Sequence, residues 1–72
     1  MMNESQYEMI VYWDNKDRIF VVEVPELPGC MAHGETKKKA VQNAEDAVRL
    51  WVKTAEEDSI SVPEPKGRLM FA

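Results

Sequence analysis

The 72-residue sequence predicts an α+β fold: an antiparallel sheet of three to four strands packed on one helix, in the order β-β-β-α-β. Two observations carry that prediction. Through about residue 35, short strand-length segments rich in β-branched and aromatic residues are punctuated by proline and glycine. From Thr36 onward the apolar period changes to 3.6, the signature of a helix with one buried stripe.

The first strand is expected over about residues 7–13, "YEMIVYW", where Tyr7, Met9, Val11 and Trp13 share one face and Glu8, Ile10 and Tyr12 the other. "DNKD", Asp14 to Asp17, suits a short hairpin loop, with Asn15 tolerant of turn dihedrals. A second strand follows over 18–24, with Phe20, Val22 and Val24 on one face and Ile19, Val21 and Glu23 on the other. Both strands are apolar on more than one side, so the second face is expected to meet a sister subunit or a partner.

"PELPG" breaks the pattern. Pro25 cannot donate to a ladder, and Pro28-Gly29 fits the two central positions of a type II turn. "CMAHGE", residues 30–35, is a short third strand, with Gly34 at a bulge or at its end. Thr36 then caps a helix over about 37–57, roughly 33 Å long counted from the cap and able to cross a three-stranded sheet. Its stripe is Ala40, Ala44, Ala47, Val48, Trp51 and Ala55, flanked by Val41 and Val52, and the small alanines let the helix backbone approach the sheet. Pro63 and Pro65 exclude helix from the tail, where "RLMF" allows a fourth strand over 67–71.

Length and composition narrow the function. A chain of 72 residues is one small domain with a marginal core, for which self-association is a natural support. One cysteine gives no intramolecular disulfide, and no basic flank leads into a long apolar run, so a cytoplasmic protein without signal peptide or membrane span is expected. Thirteen carboxylates against nine cations favour basic partners over free nucleic acid.

No set of residues reads as catalytic, and no metal or cofactor site is expected. Cys30 and His33 are three apart on a strand, so they point to opposite faces, and no further Cys or His exists to complete a metal site. The carboxylates fall in separate places, with Asp14 and Asp17 in the hairpin, Glu45 and Asp46 on the helix, and Glu56, Glu57 and Asp58 at its end. Lys37, Lys38 and Lys39 are unusual because the helix macrodipole disfavours cations in the first turn by about 0.3–1 kcal/mol each. They are read first as exposed lysines tolerated at that cost, and second as a small basic patch.

The ordered set "FVVEVPELPGC", "GET", "AVQNAEDAV" and "VPEP", behind a first strand ending in "YW", resembles the HicB-like antitoxins. The resemblance runs from about Tyr7 to Pro65. It implies a partial ribonuclease-H-like fold without the catalytic acids, and an antitoxin that binds and occludes a small basic HicA-type mRNA-cleaving toxin. Many members carry a C-terminal DNA-binding module; this sequence stops at Ala72, and direct DNA binding is not expected. The family also commonly has acid in the helix's first turn, where Lys38 and Lys39 stand here. Toxin contact is expected at Asp14, Asp17, Glu56, Glu57 and Asp58 and along one sheet edge, together with homodimerisation or a higher homo-oligomer. The alternatives are a residual metal-dependent ribonuclease and a small RNA-binding module using Lys37 to Lys39.

Overall fold

A computed structural model describes residues 6–65. It consists of β1 (Ile10–Asp14), β2 (Ile19–Glu23), β3 (Met31–Gly34) and α1 (Lys37–Glu57). The strands form one antiparallel sheet in the order β1-β2-β3, so β1 and β3 are its edges among the described residues. The α+β class and the element order agree with the sequence reading; the expected strand at 67–71 lies outside the described residues.

Register assigns the faces. Val11 pairs with Val22 and Val22 with Ala32, while Trp13 pairs with Phe20 and Phe20 with Gly34; these residues look toward the helix. Tyr12, Val21 and His33 pair across the opposite, helix-free face. Beneath α1 the core has two clusters. Val22 meets Ala40 and Ala44 at the N-terminal half of the helix, and Tyr7, Val24, Leu27 and Cys30 surround Val48 at the C-terminal half. The helix lies over β3 and β2 and barely reaches β1. Val11 and Trp13 therefore stay exposed although they point to the helix side.

The helix boundaries follow local chemistry. The Thr36 hydroxyl oxygen accepts from the Lys39 amide at 3.0 Å, which satisfies one of the free donors of the first turn. Lys37 directs its ammonium group over the Phe20 ring, 5.8 Å from the centroid, an attraction of about 0.5–1 kcal/mol that offsets its unfavourable place at the positive end of the helix. At the other end Ser59 takes a left-handed φ of 57°, and Ile60 and Ser59 donate back to the carbonyls of Ala55 and Glu56.

"PELPG" forms two successive turns. The Leu27 amide donates to the Val24 carbonyl at 3.1 Å with Pro25 at the first corner, and the Cys30 amide donates to the Leu27 carbonyl at 2.9 Å across Pro28-Gly29. Gly29 has φ +78°, the value a type II turn requires at that position. Val24 donating to Cys30 at 3.0 Å closes the loop at its base.

The strand bounds need correction. The strands are shorter than alternation suggested, since Tyr7 and Met9 pack before β1 begins and Arg18 lies outside β2. The left-handed residue of the first hairpin is Arg18, φ 54°. The Asp14 carboxylate explains this by accepting from the amides of Lys16 and Asp17 at 2.9 and 3.2 Å, which fixes the start of the turn and leaves the reversal to its last residue.

Candidate functional site

The five acidic positions divide between two ends of the molecule. Asp14 and Asp17 sit at the hairpin, beside the helix N-terminus, as the contact of Lys37 with Phe20 shows. Glu56, Glu57 and Asp58 sit about 30 Å further along the helix. Asp14 is engaged by its own turn, whereas Asp17, Glu56, Glu57 and Asp58 are exposed. No single surface gathers all five.

The acidic helix end borders a feature the sequence reading missed. Gly29, Cys30 and Met31 from the turn and β3, Ala47, Leu50, Trp51, Thr54 and Ala55 from α1, and Ile60 beyond it line an apolar groove of about 380 Å³. Leu50 is 65% exposed, and Met31 and Ile60 are also largely open to solvent. The Trp51 indole N–H donates to the Pro28 carbonyl at 2.9 Å, fixing the aromatic wall against the turn. Glu56, Glu57 and Asp58 are exposed and follow the lining residue Ala55 in the chain, before Ile60. Leu50 was the available signal: a large apolar residue on the helix outside the alanine stripe.

More carboxylates gather where the N-terminal segment meets the tail. The Tyr7 hydroxyl donates to the Pro63 carbonyl at 2.6 Å, and the Glu26 carboxylate accepts from the Glu8 amide at 3.1 Å. Burial, then the nearby Glu26 and Glu64 charges, push the Tyr7 hydroxyl above its ordinary value of 10.0. The folded state thus holds this proton more tightly than the unfolded chain does. Its contribution is complete below pH 10 and is lost as pH rises through the folded value. Urea midpoints measured from pH 8 to 11 are expected to fall above pH 10 in the native chain and to fall less steeply in Tyr7→Phe.

Cys30 and His33 do not meet. Cys30 is buried toward the helix, where burial pushes its thiol pKa up, away from the reactive thiolate. His33 is exposed on the other face, and its backbone carbonyl accepts from the Asn43 amide group at 2.8 Å. Among the described residues, no three His, Cys, Asp or Glu side chains stand close enough together to hold a metal ion. No described helix is long and apolar enough to cross a membrane.

An exposed apolar groove on a small α+β scaffold is the kind of surface at which proteins bind one another. The chain belongs to the HicB-like antitoxins of bacterial toxin–antitoxin systems, whose family model matches residues 7–69. It is similar to a UPF0150 protein of Thermoplasma acidophilum, 36% identical over 58 residues that cover 81% of this chain and 83% of that protein. It is also similar to a UPF0150 protein of Synechocystis sp., 32% identical over 60 residues, or 83% of this chain and 86% of the relative. No solved structure matches. The family points to a non-enzymatic role and to a toxin as partner.

Proposed function

We propose that the protein is an antitoxin acting by occlusion, which seats a small basic HicA-type mRNA-cleaving toxin on the groove between β3 and the C-terminal half of α1. The observation that carries this reading is an exposed apolar groove at the end of the helix where the exposed Glu56, Glu57 and Asp58 follow in the chain. An apolar centre that expels water, with polar residues at its margin, is the usual anatomy of a protein interface. Net charge supports it, since a chain at −4 attracts a cationic toxin over tens of ångströms at low salt. Glu56, Glu57 and Asp58 supply the rim contacts, and the Asp14–Asp17 hairpin lies too far away to share them. Occlusion needs no chemistry from this chain, which fits a partial ribonuclease-H-like scaffold that binds in the cytoplasm. Homodimerisation belongs to the same reading, supported by the apolar residues that β1 exposes on both faces.

The test is inhibition of RNA cleavage by a purified HicA-type toxin, with affinity measured by titration calorimetry. Leu50→Asp places a charge in the groove at an exposed position, so the fold is expected to survive. It is expected to weaken binding about 100-fold, equivalent to losing one interface anchor of roughly 2.7 kcal/mol. Native affinity in Leu50→Asp overturns the groove as the site. Failure of the native chain to bind or inhibit the toxin overturns the antitoxin mechanism itself.

A further inference from the structure

We infer that the toxin enters the groove between β3 and α1 with a helix, laid alongside Ala47 to Ala55 of α1, and not with a strand added to the edge of β3. This rests on the proposed function, from which it takes the partner and the site, and adds the conformation of the bound segment.

The groove follows the helix. α1 lines it from Ala47 to Ala55, about 12 Å and just over two turns. Of the four residues of β3, only Met31 lines it. From Met31 the strand runs away toward Gly34, which meets the backbone of Lys39 and Ala40 near the start of α1. A strand added to β3 would therefore leave the groove and pass along the first half of α1. Thr54 and Ile60, which line the far end, would stay uncovered.

The outer edge of β3 is also partly taken. The Val24 amide donates to the Cys30 carbonyl, so by alternation Cys30, Ala32 and Gly34 turn their backbone groups toward β2. Met31 and His33 turn theirs outward. The Asn43 side chain reaches over from α1 and donates to the His33 carbonyl at 2.8 Å. An acceptor that an incoming strand would use is thus engaged by the protein itself.

Hydrogen bonding decides between an extended segment and a helix. An extended chain brings an N–H and a C=O at each residue, and each needs a partner when buried. The groove supplies few. The Trp51 indole N–H already donates to the Pro28 carbonyl. Among the described lining residues, the Thr54 hydroxyl is the only other strong hydrogen-bonding side-chain group. A helix makes its interior backbone bonds within itself and presents side chains alone.

The lining has the relief on which helices pack. Leu50, Trp51 and Thr54 stand between Ala47 and Ala55 at spacings of three and four, ridges and hollows that receive the side chains of a second helix. The bound helix is amphipathic, apolar toward the groove at every third or fourth residue. Basic residues on its other faces suit a chain of net charge −4.

The experiment uses a purified HicA-type toxin with the native chain, Leu50→Asp, Thr54→Lys and Asn43→Lys, and circular dichroism confirms each fold. Thr54→Lys and Asn43→Lys add the same charge to the same helix, so the change in net charge cancels from their comparison. Thr54→Lys is expected to weaken toxin binding about tenfold, and Asn43→Lys by less than about twofold. Cross-saturation NMR from the native chain to isotope-labelled toxin is expected to mark amides that recur every three or four residues within one toxin helix. The His33 amide is expected to exchange with solvent as fast in the complex as in the free chain. A larger loss in Asn43→Lys than in Thr54→Lys, slowed exchange at His33, or marked toxin amides that alternate along a strand or cluster in a loop overturns the helical docking and leaves toxin binding standing. Absence of binding, or native affinity in Leu50→Asp, overturns the groove as the toxin site and the helical docking with it.

Discussion

Replacing Gly34 with alanine is expected to cost the protein about 3 kcal/mol, and replacing it with valine to leave the chain unfolded at 25 °C. A Cβ at this position would lie 2.5 Å from the Ala40 nitrogen, 2.8 Å from the Lys39 carbonyl carbon and 2.9 Å from the Ala40 Cα. All three are backbone atoms of the first helical turn, so no side chain can swing aside. The helix must lift away from β3, which separates Ala40 and Ala44 from Val22 and opens that cluster. The cost is large for a chain this short, whose whole stability is on the order of 4–11 kcal/mol. Urea denaturation followed by circular dichroism measures it. Gly29 makes the control: a Cβ there meets nothing within 4 Å, and only its φ of +78° resists. Gly29→Ala is therefore expected to cost about 1 kcal/mol. A Gly34→Ala midpoint no lower than that of Gly29→Ala would show that α1 does not depend on close backbone contact with β3.

The helix was readable in the sequence because its signals are local. Thr36 announces the cap, and alanines four apart announce a stripe narrow enough for the close approach that Gly34 completes. Strand ends were less readable, because alternation marks every residue able to pair and pairing also needs a partner at the right place. Tyr7 and Met9 continue the pattern of β1 but pack into the core instead. The groove was hidden for a related reason. Its walls come from residues 29–31, 47–55 and Ile60, which only the crossing of helix and sheet brings together. Acid at Glu56, Glu57 and Asp58 was visible, while the apolar surface it borders was not. That a full helix length separates those acids from Asp14 and Asp17 depends on the hairpin lying beside the helix N-terminus, a tertiary placement rather than a local signal.

Leu27→Ala carries the other large effect, a loss of about 3–4 kcal/mol, within the range for emptying a buried leucine site. Turn residues ordinarily face water, and "PELPG" reads as turn chemistry alone. Yet Leu27 has no exposed surface and packs with Tyr7, Val24, Cys30 and Val48. The two turns explain this, since Pro25 and Pro28-Gly29 fold the chain back on each side of Leu27 and aim its side chain under the helix. The prolines thus limit the loop's freedom while the leucine anchors it to the core. In Leu27→Ala the loop loses that anchor, and the wall of the groove that Trp51 holds through Pro28 loses its support. Chemical denaturation is expected to show the full loss of stability, with toxin affinity falling even under conditions where the variant remains folded. Leu50→Ala, on the exposed side of the same groove, is expected to change stability by less than about 0.5 kcal/mol. Equal destabilisation of the two variants would mean that Leu27 contributes surface rather than core, and the anchoring role of the loop would fall with it.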